Sequence, residues 1–353
     1  MRTTRLSSLG VATLAAIACT ASPAAASRVR AAPAATTPVT SLSGAGSTLV
    51  APLVAEWAQE YTVFFGVKVD YGSVGSQAGV NRLAGGSVDF AATDSPLTAA
   101  ELKACPGCGQ IPWALTAIGV GYHVKGAGNK LRLSPSVLAA IYLGQITQWN
   151  DRRIKALNPS LRLPALKITP ISSNASGDTY VFTQYLSRVS STWRTRVGTG
   201  DTVSVPVGLT TNGNAGVTTL LQSTNGAIGY VGAAYLITHR LPAAAIRNAA
   251  GNYEYPNLPN ITAAAATVKS VPANGALPIV NPSRTASTAY PISTFSYVVV
   301  SSRATAARKA ALRDWISYAV GAGQTFGAGL DFASLPSVVA RADRRAVRTF
   351  AGG

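Results

Sequence analysis

A repeated strand–turn–helix pattern constrains this chain more than any other feature of its sequence. Three β-like runs end in short turns of Gly, Ser and Thr, at residues 44–48, 72–76 and 173–179, and each turn leads into a helix-like pattern. A fourth β-like run ends at Asp94. The alternation predicts an α/β fold with mostly parallel sheets flanked by helices. In such a sheet all four turns fall at the carboxyl edge of the strands, where ligands bind.

The turns have the groups that bind an oxyanion. Each offers unpaired N–H groups, a hydroxyl and the positive end of a helix dipole. Helix capping alone explains a single Ser or Thr at such a place, but three turns and an acid together favour an oxyanion site. The third turn is unusual because "NASGDT" contains Asp178 and no Lys or Arg.

Length and charge further limit the kinds of protein that this chain can be. The 353 residues suit two lobes, and an apolar content of 47% with only 12% charged residues argues against disorder. The net charge of +17 predicts attraction to anions. The densest basic run, residues 341–348, has no interleaved aromatics and is typical of one exposed helix face. We therefore expect no nucleic-acid partner.

The N-terminus has the pattern of a secretory signal. Arg2 and Arg5 precede an apolar run at residues 6–18 that is too short for a permanent membrane span. A lipoprotein signal would be residues 1–18, with Cys19 acylated and residues 19–40 as a flexible Ala/Ser/Pro/Thr tether; a plain signal would be residues 1–26. Either predicts an exported protein, at the cell surface, in the periplasm or outside the cell. Membrane contact is expected only through the lipid anchor.

The remaining cysteines, Cys105 and Cys108, are expected to form a small disulfide that closes a turn. A zinc site would need about four ligands. The only histidines, His123 and His239, bring no second pair of ligands to the two cysteines. We expect no metal and no cofactor.

Several motifs in order along residues 41–339 resemble the phosphate-binding receptors of the bacterial phosphate ABC importer, the PstS family. They include "GAGSTLVAPLVAEWAQEY", "SGDTYVFTQYLSRV", "GAIGYV" and "LDFASLPSVV". The resemblance implies the type II periplasmic-binding-protein architecture, with ligand held between two lobes joined by a two-stranded hinge. Lobe 1 would be residues 41–122 plus 290–353, and lobe 2 would be residues 123–289.

The resemblance also implies the ligand-binding residues. Asp94 would accept a hydrogen bond from a protonated phosphate oxygen and so reject sulfate, which has no proton to offer. The other groups would donate hydroxyls or backbone N–H groups, and they are Thr48, Leu49, Ser76, Ser176, Gly177 and Asp178. Leu49 stands where the family often has Phe, which should be harmless because only its N–H is used.

The chain departs from the family at the third turn. Ser172 and Asn174 replace an Arg and the Asp that holds it, and Asp178 stands where many members have Thr. If both Asp94 and Asp178 face the ligand, the site requires dihydrogen phosphate. The affinity for phosphate should then rise as the pH falls from about 8 to about 5. Alternatively, Asp178 serves only its helix dipole.

The resulting functional prediction is an extracytoplasmic solute-binding protein, not an enzyme, that captures inorganic phosphate. No G-x-x-x-x-G-K-[ST] motif is present, so the energy for transport would come from other subunits. The resemblance implies ABC permease subunits and their ATPase as partners, with the receptor a monomer. The alternatives are a relative with a different or lost oxyanion, a secreted phosphatase, or a surface scaffold. A phosphatase would need a metal cluster or an activated nucleophile, neither of which the sequence indicates.

Overall fold

The computed structural model describes residues 38–352. The predicted signal peptide, the candidate lipidation site Cys19 and most of the tether lie outside the described residues. The strands are β1 Ser41–Gly46, β2 Lys68–Ser73, β3 Phe90–Thr93, β4 Cys108–His123, β5 Arg132–Leu133, β6 Thr169–Asn174, β7 Leu209–Asn212, β8 Ala227–Gly232, β9 Ala245–Arg247, β10 Tyr253–Glu254 and β11 Ser293–Ser301.

The helices flank these strands. They are α1 Ala51–Phe65, α2 Ser76–Ala84, α3 Ala99–Ala104, α4 Pro135–Tyr142, α5 Arg152–Leu157, α6 Gly177–Val189, α7 Ser191–Arg196, α8 Gly213–Ser223, α9 Ala233–Thr238, α10 Leu258–Ala265, α11 Ala306–Ala319, a 3-10 helix Ala322–Leu330, and α12 Ser337–Gly352. Among residues 38–352, none of the helices combines the length and apolar character that a membrane crossing needs.

Eight strands form one mixed sheet in the order β2-β1-β3-β11-β4-β8-β6-β7. The first half-sheet (β2, β1, β3) and the second half-sheet (β8, β6, β7) are each parallel, and the antiparallel β11 and β4 lie between them. The long β4 pairs with β11 over residues 108–117 and with β8 over residues 118–123. The predicted α/β class is confirmed. Strands β1, β2, β3 and β6 end at the turns identified from the sequence.

Local capping explains where the helices begin. Ser134 caps α4, whose first residue is proline, and Ser176 caps α6. Helix α3 begins later than the motif "SPLTAAEL" predicts, because Thr98 and Glu101 form a capping box. Asp94 is therefore not the cap of that helix, which removes the simplest structural explanation for a carboxylate at this position.

Buried aromatic residues hold the helices to the sheet. Trp57 packs edge-on against Trp113 and Trp315, with ring centroids 5.3 and 6.4 Å away, and the Trp57 indole N–H donates to a backbone carbonyl. On the second half-sheet, Phe182 of α6 stacks on Tyr230 of β8 at 4.3 Å. These contacts fix α1 and α6, two of the helices whose N-termini meet at the candidate site.

Cys105 and Cys108 form a disulfide at the turn between α3 and β4. A backbone hydrogen bond from Cys108 to Cys105 closes the same turn. The pair lies at the edge of the first half-sheet and contributes no group to the candidate site.

Candidate functional site

The structure brings the four predicted turns together. A Cβ placed on Gly177, at the start of α6, would lie 2.5 Å from Ser76 Oγ and 2.6 Å from Asp94 Oδ2. Ser76 and Asp94 follow β2 and β3 of the first half-sheet, whereas Gly177 follows β6 of the second. Residues from both half-sheets therefore face each other at van der Waals distance, and only a glycine permits this approach.

Asp94 is the buried carboxylate of this site. Its Oδ2 accepts hydrogen bonds from Ser47 Oγ at 2.6 Å and Ser76 Oγ at 3.4 Å. Its Oδ1 has no hydrogen-bond partner among the described residues. The nearby Ser296 hydroxyl donates to the Thr93 carbonyl at 3.3 Å, and it also lowers the pKa of the Asp94 carboxyl against the effect of burial. A buried acceptor without a partner is costly. This oxygen is therefore available to a donor on a ligand.

Burial determines the protonation of Asp94. The side chain is 1% exposed, and desolvation raises the pKa of its carboxyl to about 7, helped by repulsion from Asp178. Asp94 can consequently take up or share a proton near neutral pH.

Asp178 differs from Asp94 because both of its oxygens have partners. Oδ2 accepts from Ser176 Oγ at 2.7 Å, and Asn214 Nδ2 donates to both carboxylate oxygens at 3.0–3.1 Å. The Asp178 N–H donates back to Ser176 Oγ, and burial raises the pKa of the Asp178 carboxyl. In this arrangement Asp178 supports the turn and the first turn of α6, and the Ser176 hydroxyl proton is directed to Asp178.

Asn214 connects the two sides of the site, and the sequence reasoning missed it. Its Nδ2 donates to Thr48 Oγ1 at 2.8 Å, as does its backbone N–H at 3.2 Å, while its Oδ1 accepts from the Gly232 N–H at 2.6 Å. Thr48 Oγ1 accepts both bonds, and its own hydroxyl lies close enough to Asp178 to lower the pKa of that carboxyl against the effect of burial. The sequence "TTNGNAG" shows the same strand–turn–helix pattern, since β7 ends in a Gly-Asn turn before α8. This turn has fewer hydroxyl residues at the helix start than the other three turns, and so the pattern did not identify it.

The turn around Thr48 contains a second missed residue, Ser47. Its hydroxyl donates to Asp94 and accepts the N–H groups of Leu49 at 3.1 Å and Val50 at 3.2 Å. The Leu49 N–H that was expected to face a ligand is thus bonded to Ser47, and the Leu49 side chain is buried. Ser47 carries the link between the α1 N-terminus and Asp94.

The family of the chain follows from comparison with known proteins. The family sequence model described as the PBP superfamily domain matches residues 31–322 of this chain. The phosphate-binding protein PstS of Xylella fastidiosa (strain 9a5c) is 35% identical over 301 residues, 84% of this chain and 81% of that protein. The PstS of Pasteurella multocida is 34% identical over 307 residues, 86% and 89% of the two chains. The chain belongs to the PstS family.

The fold agrees with a solved structure. A high-affinity periplasmic phosphate-binding protein (PfluDING), solved with bound phosphate, superposes with a TM-score of 0.68 at 22% identity, over 88% of this chain and 93% of that one. This likeness confirms the predicted periplasmic-binding-protein architecture for the PstS-family chain.

The site of this PstS-family member is rich in carboxylates. Asp201 lies beside Asp94 and Asp178, accepts from Ser95 Oγ at 3.0 Å, and has one unpartnered oxygen among the described residues. Burial raises its pKa to about 6, with further repulsion from Glu101 and Asp178. The sequence reasoning gave Asp201 no role.

No Lys or Arg in the described part of the chain forms an ion pair with these three carboxylates; the recorded pairs involve Asp70, Asp89, Asp151 and Asp314. Ser172, which stands where the resemblance leads us to expect an Arg, is buried and hydrogen-bonds to the Leu209 carbonyl and Thr210 Oγ1. The site therefore relies on dipoles and hydroxyls for any positive potential.

Replacing Asn214 by Ala should lower the free energy of unfolding by about 2–3 kcal/mol, because Asp178 Oδ1 and the Gly232 N–H would be left buried without a partner. Phosphate affinity should fall at least about tenfold, because Thr48 loses its support. Urea denaturation and calorimetric titration measure the two effects. The matched control is Asn225→Ala, since Asn225 makes one exposed hydrogen bond to the Lys125 N–H. Equal effects in both variants would contradict this role.

Proposed function

We propose that this chain captures inorganic phosphate outside the cytoplasm and delivers it to an ABC importer. One observation carries the proposal: buried Asp94 keeps an unpaired oxygen where the hydroxyls and helix N-termini of both half-sheets meet. A protonated oxyanion supplies the missing donor and accepts from the surrounding groups. The names of the relatives, phosphate-binding proteins in each case, support the same ligand.

In this proposal the predicted residues take two kinds of role. Thr48 donates its hydroxyl, and the N–H groups at the first positions of α2 and α6, on Ser76 and Gly177, point into the site because helix N-termini leave such groups unpaired. Asp94 accepts the ligand's proton. Asp178 does not contact the ligand in this proposal. It holds Asn214, which in turn holds Thr48, and this agrees with the alternative in which Asp178 interacts with its helix dipole.

Leu49 and Ser176 take supporting places. The Leu49 N–H contributes to the ligand only if it is shared with Ser47, and the Ser176 hydroxyl is directed to Asp178. Ser176 lies directly before α6 and caps this helix, so its contribution is to the shape of the turn.

The charge of the site favours the protonated ligand. Two buried carboxylates and the half-buried Asp201, with no guanidinium paired to them among the described residues, repel an anion, and burial raises their pKa values. A proton that enters with the ligand, on phosphate or on Asp94, removes part of that repulsion. We infer that phosphate binds as the monoanion, or as the dianion together with one proton on Asp94.

The two lobes would be residues 41–122 plus 290–353 and residues 123–289, with β4 and β11 as the connecting strands. The remaining proposals are an exported monomer that works with permease subunits and an ATPase, anchored by lipid on Cys19. The relatives are named as binding proteins, and we propose no catalytic activity. Phosphatase activity has less support, because among residues 38–352 no group of three His, Cys, Asp or Glu could hold a metal ion.

Equilibrium binding to the purified mature chain tests the function. Phosphate and arsenate, which both carry a proton near neutral pH, should bind, and sulfate should bind at least about a hundredfold more weakly. A chromogenic phosphomonoester with added divalent metals should show no turnover. Binding of sulfate in preference to phosphate, or of neither, would favour a relative with a different or lost ligand.

A further inference from the structure

The last three residues of α1 form an exposed apolar tip. Val63, Phe64 and Phe65 are consecutive and are 74%, 68% and 57% exposed. Single exposed apolar residues are ordinary on protein surfaces, but two phenylalanines and a valine side by side form a patch that favours a partner. We call residues 63–65 the α1 tip.

The rest of the fold holds the α1 tip in place. The Phe65 ring packs against Tyr61 at 4.6 Å and Tyr318 at 5.8 Å, and Gly66 ends the helix in the left-handed conformation. Phe64 and Val63 therefore project from a supported helix end, and their exposure is a fixed property of the surface.

The α1 tip lies at the edge of the sheet opposite the anion site. Helix α1 starts directly after the Thr48 turn and runs for 15 residues, about 22 Å. The chain's first described residues lie at the same far edge, since the Lys68 N–H donates to the Thr40 carbonyl at 3.0 Å and Ser41 pairs with Lys68. The described part of the chain therefore begins at the sheet edge where the α1 tip lies.

The charges around the α1 tip are mixed. Lys68 pairs with Asp70 at 2.7 Å, Glu60 is close enough to raise the pKa of Tyr318, and Asp314 contributes to the raised pKa of Tyr61. The tip therefore has no one-sided basic field of its own, and a contact made there depends on its apolar side chains.

We propose that the α1 tip inserts into the interface of a lipid bilayer, next to the point where the N-terminal segment leaves the fold. The 19 residues from Cys19 to Thr37 can span at most about 65 Å, so an anchor on Cys19 would keep the tip close to the membrane. Phenylalanine side chains favour the headgroup–acyl boundary.

Flotation with vesicles tests the proposal on the mature chain carrying Cys19→Ala, which removes any acyl anchor. Phosphatidylcholine vesicles in about 1 M salt, where the Debye length is about 3 Å, suppress attraction due to the net charge. The chain should float with the vesicles, and Phe64→Ser with Phe65→Ser should lower its partition coefficient at least about tenfold. The control is Leu102→Ser with Leu209→Ser, two residues 42% and 43% exposed elsewhere on the surface, which should leave partitioning unchanged.

Phosphate titration of each variant shows that the fold is intact, because the tip contributes no group to the anion site. Failure of the Cys19→Ala chain to float would overturn the proposal, as would equal losses in the tip and control variants. Light scattering that shows tip-dependent dimers in place of vesicle binding would also overturn it, in favour of a second copy of the chain as the partner.

Discussion

Replacing Asp94 by Asn is expected to reduce the preference for phosphate over sulfate by about a hundredfold. Asp94 has an unpaired oxygen that only a protonated anion can satisfy. An amide at this position adds N–H donors and removes a negative charge, so the penalty for sulfate falls while phosphate loses a charge-assisted hydrogen bond. Calorimetric titration with both anions at one pH measures the ratio.

The same variant has a testable effect on stability. Because burial raises the folded-state pKa of Asp94 from 3.8 to about 7, the wild-type carboxyl favours the folded state fully below the lower value and loses that contribution as pH rises through the higher one. Asp94→Asn should therefore raise the melting temperature of the ligand-free protein above pH 7 relative to wild type.

Asp331→Asn is the matched control, because burial also raises the pKa of Asp331, to about 6, and its left-handed backbone tolerates Asn. It should leave the phosphate-to-sulfate ratio unchanged. If Asp94→Asn keeps wild-type selectivity, Asp94 does not recognise the ligand's proton.

Replacing Gly177 by Ala should lower phosphate affinity by about tenfold to a hundredfold. The added methyl group would lie within 3 Å of Ser76 Oγ, Asp94 Oδ2 and Asp94 Cβ, so the two sides of the site must separate. Alanine is a good residue at a helix start, and therefore the fold itself should persist. Calorimetry gives the affinity, and small-angle scattering reports whether phosphate still compacts the molecule.

Gly109→Ala serves as the control, since a Cβ there meets nothing within 4 Å. The control should bind phosphate like the wild type. Unchanged affinity in Gly177→Ala would mean that the close approach of α6 to Asp94 is not part of the binding-competent state.

The sequence predicted the fold class and the convergence of the turns because both depend on a regular pattern. Strands that end in Gly/Ser/Thr turns define a sheet edge, and the structure brings Thr48, Ser76, Asp94 and Gly177 to it. Such local signals survive in a single sequence because capping and periodicity act over a few residues.

The sequence did not reveal which groups would satisfy one another. Asn214 links Thr48 to Asp178 across 166 and 36 residues of chain, and Ser47 takes the Leu49 N–H that was assigned to the ligand. Hydrogen-bond partners depend on side-chain directions that only the tertiary structure determines. The different states of the two carboxylates, Asp94 with a free oxygen and Asp178 with none, could be separated only by structure.

Ser172 and Asn174 stand where the resemblance leads us to expect an Arg and an Asp, and their surroundings suit neutral residues. Ser172 is buried in the second half-sheet and bonded to β7, so a neutral residue is accommodated there without an unpaired charge. In place of a guanidinium, the site has acids that can be protonated. Ligand and protons would therefore bind together.

Among the described residues no Lys or Arg pairs with the carboxylates of the site, so phosphate is expected to bind together with protons. The direct test is calorimetric titration of the mature chain with phosphate between about pH 5 and pH 8, in buffers of different ionisation enthalpy, which counts the protons taken up. The affinity for phosphate should rise as the pH falls. About one proton should be taken up per phosphate near pH 8, the upper end of the range. Affinity that is independent of pH or rises with pH, with no proton uptake, would contradict it.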